Sequence, residues 1–158
     1  MKTPTRLLSK SDNDTVSSLL VPVQGKSLLV PNVAVAEVVP ASEIQTREGL
    51  PTWCLGYVLW RGVDVPVISF EIANSQVSGR NSVEVRLAIM NCIGGEQGKK
   101  FFALLVQGIP RMIKLTEKEV REDKQTTIGQ AEKMAVLTQL GKAIIPDLDY
   151  LESLAEKV

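Results

Sequence analysis

The residue types that carry most enzyme chemistry are absent from this chain or scattered along it. No histidine occurs among its 158 residues. A Ser-His-Asp triad, a Cys-His pair and any histidine-bearing metal site are therefore excluded within the chain. Cys54 and Cys92 are the only thiols. Each sits in an apolar run and they form no CxxC motif, so they cannot supply the four ligands of a structural zinc site. They read as two reduced, buried thiols rather than a disulfide. Asp147 and Asp149 stand two apart at a helix start and point to different faces, which makes Asp147 a helix cap rather than half of an acid–base pair. The glycine-rich turn from Gly94 to Lys100 lacks the glycine spacing of a phosphate loop. It has no Ser or Thr after its lysines, and it joins two strands instead of opening a helix. No cofactor and no metal is expected.

One charged side chain stands out by its setting. Arg61 lies between two apolar runs, directly before Gly62, in the stretch from Val58 to Ile68. It is either an ordinary surface turn residue or a planar guanidinium paired with a carboxylate at a binding surface. Glu37, set among Val35, Val38 and Val39, is the natural partner for such a pair.

The elements that position these residues are short. Ser18 to Val23 and Ser27 to Val30 flank Gln24-Gly25-Lys26 and read as a hairpin. Pro31-Asn32 opens a helical turn, and Val35, Val38 and Val39 follow at near-helical spacing until Pro40 stops it. Residues 41–52 read as a loop. Trp53 to Trp60 and Val63 to Ile68 read as two strands with Arg61-Gly62 at the corner, where Gly62 supplies the backbone freedom of a tight turn. Pro66 argues for an edge position or a bulge, because it cannot donate to a ladder. A short helix from Phe70 to Ala73 and a polar loop over 74–82 follow. Val83 to Met90 and Phe101 to Val106 form the strongest hairpin in the sequence. Ile109, Met112 and Ile113 suggest another strand. Thr116 to Glu119 has the spacing of a capping box, with an exposed loop after it. A last hairpin turns at Gly141-Lys142, and Pro146-Asp147 opens a helix with Leu148, Leu151, Leu154 and Val158 on one face. Eight to ten short strands with regular turn signals indicate an all-β fold of the sandwich or small-barrel type.

Composition narrows the function classes. Eighteen basic and eighteen acidic residues cancel, and aromatics are only 4% of the chain. A nucleic-acid-binding barrel would want a basic face with exposed aromatics. A carboxylate-only enzyme would want paired acids in a cleft, and here the acids stand mostly beside bases. No apolar stretch reaches the roughly 18 residues that span a bilayer. The polar N-terminus lacks the apolar centre of a signal peptide, so the Asn13 sequon is read as chance and the protein as cytoplasmic. Residues 1–16 read as a flexible tail and 17–158 as one folded domain.

The segment from Trp53 to Phe70 resembles the signature of CheW-like domains, a strand ending in Asn-Leu-Arg-Gly, then an apolar strand with Pro-Val, then Asp-Leu. Arg61 and Gly62 match it. Leu59 and Trp60 stand where Asn and Leu are usual, and Ser69-Phe70 replaces Asp-Leu. The hairpin from Leu19 to Val30, the Val35-Ala36-Glu37-Val38 stretch, the strand from Phe102 to Ile109 and the run from Ile144 to Asp149 agree with the family in order. The resemblance implies two packed five-stranded SH3-like barrels with a short C-terminal helix and no catalytic site. It implies an adaptor that joins a CheA-type histidine kinase to a chemoreceptor cytoplasmic tip, including an accessory role in an array controlling pili or twitching. It implies partner contacts at Glu37, Val38, Trp60, Arg61 and Gly62, with Glu37 and Arg61 in a salt bridge. Neither nucleic acid nor membrane insertion is expected.

Overall fold

A computed structural model describes residues 15–41, 43–76, 85–92 and 101–158. The glycine-rich turn at 94–100, the Asn13 sequon and most of the tail and of the 74–82 loop lie outside the described residues. The chain runs β1 (Val16–Val23), β2 (Lys26–Pro31), a 3-10 turn (Asn32–Ala34), β3 (Val35–Pro40), β4 (Cys54–Trp60), β5 (Val63–Ile68) and helix α1 (Phe70–Ala73). It continues through β6 (Arg86–Asn91), β7 (Phe101–Val106), β8 (Arg111–Leu115), a second 3-10 turn (Glu117–Glu119), β9 (Arg121–Glu122), β10 (Glu132–Thr138), β11 (Gly141–Pro146) and helix α2 (Leu148–Ala155). β1 thus begins inside the segment that reads as tail.

The strands form two mixed sheets, ordered β8-β1-β2-β11-β10-β9 and β3-β6-β7-β5-β4. The chain starts the first sheet, builds the whole of the second, and returns to complete the first. Each sheet holds one parallel pair, β2 with β11 and β5 with β7, among otherwise antiparallel neighbours. The first sheet has a sixth strand because the two residues of β9 pair with Val136 and Leu137. The polar run, expected to be a loop or one exposed turn, therefore also contributes a short edge.

Three apolar cores explain why several strands are hydrophobic without alternation. In β7, Ala103 and Leu105 join the core of the second sheet, while Phe102, Leu104 and Val106 join a core between the sheets. Leu87 and Ile89 of β6 follow the first pattern, and Ala88 and Met90 the second. In the first sheet, Leu29 and Ala143 point to a separate inner core, and Leu28, Val30 and Ile144 to the shared one. Each sheet curls around its own core and offers its outer face to the other, so successive side chains are all buried. Leu151, Leu154 and Ala155 of α2 close the shared core. Asp147 caps that helix, its carboxylate accepting from the Tyr150 N–H at 3.0 Å.

Three expectations need correction. β3 is a strand, not a helical continuation. The 3-10 turn ends at Ala34, and the valines pair with β6 across a bulge between Val35 and Glu37. β-branched side chains favour that extended form once a neighbouring strand is present. Of the two settings expected for Pro66 the edge is excluded, since β5 lies between β7 and β4, while the β4–β5 pairing does carry a bulge beside it, between Cys54 and Gly56 opposite Val67 and Ile68. The proline's missing donor is tolerated because pairing with β7 begins only at Val67. The last hairpin turns at Gln139-Leu140, two residues earlier than expected, since Gly141 already pairs with Thr138.

A buried polar seam pins the sheets at one end. Glu71 of α1 accepts from the Gln24 N–H in the β1–β2 turn at 2.8 Å. Asn74 accepts from the Ala131 N–H at 2.7 Å and donates to Glu132 at 2.9 Å. Glu132 also accepts from the Gly129 N–H at 2.8 Å and from Lys26. A Cβ on Gly129 would stand 2.4 Å from the Asn74 amide oxygen, so only glycine admits this approach. Burial drives the Glu132 carboxyl pKa up, but Lys26, the Gly129 N–H and Asn74 together hold it below the ordinary value.

A carboxyl with a depressed pKa in the folded state stabilises the fold fully above its unfolded value of about 4.3, and that contribution is lost as pH falls through the lower folded value. Stability should accordingly drop on acidification below about pH 4. Removing the ammonium in Lys26→Met should cost about 2 kcal/mol at neutral pH and move acid unfolding to higher pH. Acid titrations followed by circular dichroism check both, and coincident wild-type and variant curves would contradict them.

Candidate functional site

The β4–β5 hairpin places the family-like residues at one corner of the second barrel. Arg61 and Gly62 are its two turn residues, with φ of 50° and 77°. Two successive positive φ values match the twist of the flanking strands. Glycine takes that conformation freely, but arginine pays about 1–2 kcal/mol to sit in it. An arginine kept in a place suited to asparagine or glycine points to a use for its side chain.

That side chain is built into a cluster. The guanidinium lies over the Trp60 ring at 4.6 Å, and its Nη2 is 3.5 Å from Glu37 Oε1. The Trp60 indole N–H donates to the same Glu37 oxygen at 2.8 Å. The Trp60 ring packs edge-on against Phe101, with centroids 4.8 Å apart. Trp60 is itself buried in the second core, so one residue anchors the cluster from below while Arg61 stays 71% exposed.

β3 and β4 are the two edges of their sheet. The bond from Trp60 to Glu37 joins those edges through side chains where, among the described residues, no backbone pairing links the two strands. It helps to close the barrel at the place where the guanidinium is displayed. The ion pair itself is exposed, and such pairs contribute only about 0–1 kcal/mol. Its value lies in aiming the arginine. A guanidinium has five donors in a rigid fork, which leaves most of them free to meet an incoming acceptor.

Of the five residues expected at this site, Glu37, Trp60, Arg61 and Gly62 converge on the hairpin tip. Val38 follows on β3, half-buried and paired with Ala88. The departures from the family pattern also find structural roles. Ser69 accepts the Ile72 N–H at 3.1 Å and caps α1, a task that an aspartate performs equally well. Trp60 fills the inward position and adds the indole donor. Leu59 points outward and is 68% exposed, an apolar side chain next to the displayed arginine.

A second arginine cluster on the outer face of the same hairpin escaped the sequence reading. Arg47 lies over the Tyr57 ring at 3.8 Å and bonds Asp64 at 3.1 Å. Tyr57 and Gln45 exchange backbone hydrogen bonds at 2.8 and 2.9 Å, which ties the 41–52 loop onto β4. Burial and the neighbouring Cys54 raise the Tyr57 hydroxyl pKa, and Arg47 opposes them. The run of polar residues around Arg47 carries no periodic signal, so nothing in the sequence marked it. Cys54 and Cys92 are not joined in a disulfide; Cys54 is buried, whereas Cys92 is only half-buried, against the expectation of two buried thiols. Among the described residues no group of three or more His, Cys, Asp or Glu side chains could hold a metal ion. None of their helices is long and apolar enough to cross a membrane.

A family model described as CheW-like domain matches residues 17–156. The structure is similar to that of the scaffolding protein TtCheW from Thermoanaerobacter tengcongensis, with a TM-score of 0.71, 18% sequence identity and 84% of each chain covered. That likeness supports the fold of two packed SH3-like barrels. No curated protein matches the sequence significantly.

The geometry of the turn makes opposite demands on two substitutions. Arg61→Asn relieves the positive-φ cost but loses the stack on Trp60 and the ion pair, so thermal stability should stay within about 1 kcal/mol of wild type. Arg61→Val loses the same contacts and places a β-branched residue at positive φ, which should cost about 2–3 kcal/mol. Thermal denaturation of both variants checks this, and equal melting temperatures would contradict it.

Proposed function

The chain belongs to the CheW-like domain family, and on that premise we propose that it is a non-catalytic adaptor coupling a CheA-type histidine kinase to the cytoplasmic tip of a chemoreceptor. The partner-binding site of this reading is Glu37, Val38, Trp60, Arg61 and Gly62. On this reading the adaptor domain spans residues 17–158 together with Val16, which opens β1 and pairs with Leu115, and the protein acts in the cytoplasm.

The observation that carries the reading is the way Arg61 is held. The chain accepts an unfavourable backbone conformation at a hairpin tip, braces the guanidinium from beneath with a buried tryptophan, and fixes its direction with Glu37. None of this adds much stability, since an exposed pair and an exposed stack each contribute about 1 kcal/mol or less. Rigid display of a polar fork beside an exposed leucine suits docking against another protein. The buried carboxylates, by contrast, are engaged in holding the fold. Glu71 accepts a backbone N–H, and Glu132 accepts from an amide, a backbone N–H and Lys26. They are not poised for acid–base work.

Binding measurements with a purified CheA-type kinase regulatory domain and a receptor cytoplasmic fragment test the assignment. Arg61→Ala should weaken binding about tenfold or more while the fold is retained, as for truncation of an interface arginine. Arg61→Lys should recover only part of the loss, because lysine keeps the charge without the planar fork. Wild-type affinity in Arg61→Ala would remove this site from the interface.

A further inference from the structure

The far end of the first barrel carries a feature that the adaptor reading does not use. β2 and β11 run parallel, and among the described residues their one paired position is Leu28 with Ile144. Two residues before that position on each strand stand Lys26 and Lys142, so the register sets two ammonium groups on the same level. The strands part there. Between them opens a cavity of about 220 Å³, lined by Gly25, Lys26, Thr126, Thr127, Lys142, Ala143 and Glu132, with Ala135 and Ile144 as its aliphatic floor.

The charges around this cavity are layered. Each lysine has a carboxylate partner, Lys26 with Glu132 and Lys142 with Asp123 at 3.8 Å. Both carboxylates are turned inward, with side-chain exposures of 2% and 11%, against 27% for Lys26 and 71% for Lys142. The acids are also occupied by other donors. Glu132 takes the Asn74 amide and the Gly129 N–H, and Asp123 takes the Thr126 hydroxyl at 2.6 Å and the Gln125 N–H at 3.1 Å. The ammonium groups each have three donors, so they retain donors beyond their carboxylate. What the cavity presents outward is therefore the ammonium side of two ion pairs, rich in donors, over an aliphatic floor.

From this arrangement we propose that the cavity between β2 and β11 binds a carboxylate with a short aliphatic body, its head held by Lys26 and Lys142 and its body on Ala135 and Ile144. The volume lies below the roughly 300–1,000 Å³ of sites for drug-sized ligands, which limits the occupant to a few heavy atoms. Two sources offer that chemistry: a free short-chain organic acid, and the C-terminal residue of a peptide chain ending in a small aliphatic side chain. The site is separate from the hairpin tip and does not rest on the adaptor reading.

The test is an amide-detected NMR titration of the full chain with sodium butyrate, with a short peptide ending in valine, and with the C-terminal amide of that peptide. Saturable shifts are expected at Gly25, Lys26, Thr126, Thr127 and Lys142 to Ile144 with butyrate or the free-acid peptide, and none with the amide. Lys142→Gln, a change at an exposed side chain, should weaken that binding at least about fivefold without altering the melting temperature. Butyrate tighter than the peptide assigns the site to a free acid, and the reverse assigns it to a chain terminus. Absence of saturable shifts at these amides with both acids, or unchanged affinity in Lys142→Gln, would overturn the proposal.

Discussion

Strands that are apolar on both faces cannot stand as the outer wall of a solitary barrel. β2, β6, β7 and β11 each send alternate residues to the core of their own sheet and the rest to the core between the sheets. Neither barrel can bury its hydrophobic surface without the other. Burying both faces of a strand roughly doubles the apolar area it removes from water, at about 25 cal/mol per Å². The polar seam then selects one arrangement from those that apolar contact alone would allow. Glu71 and Asn74 lose their partners if the sheets slide or rotate, and an unpaired buried polar group costs about 1–3 kcal/mol.

The hairpin tip inherits its rigidity from that interface. β5 is held on one side by β7, whose other neighbour is β6, and both of those strands are locked between two cores. β4 hangs on β5 and completes the barrel through the indole bond to Glu37 on β3. The arginine at the turn is thus several steps removed from the inter-barrel core yet directed by it. A fold that couples proteins needs such a fixed surface, because affinity is lost when interface side chains must be ordered at the moment of binding.

Much of this was legible in the sequence, for identifiable reasons. Hairpins with a glycine turn, such as β1–β2 and β4–β5, announce themselves locally, and so do the caps at Asp147 and Thr116. The pairing of Arg61 with Glu37 follows from the family likeness and is present at 3.5 Å. What the sequence concealed depends on long-range partners. Valines spaced three and four apart in β3 imitate a helix until β6 lies alongside. The contacts of the seam join residues 47, 57 and 58 positions apart, so no window along the chain displays them. Arg47 is visible only once the loop folds back over Tyr57. The lysines of β2 and β11 become neighbours only through a parallel pairing that returns from the other end of the chain.

The central claim is that the β4–β5 tip, braced by Glu37 on β3, is the surface this protein gives to its partners. Hydrogen–deuterium exchange of the chain alone and in complex with a CheA-type kinase domain or a receptor fragment tests it most directly. Slowed exchange in one of those complexes at residues 58–64 together with 35–39 is the predicted footprint. Unchanged exchange across both segments in both complexes, with protection confined to other strands, would contradict the account.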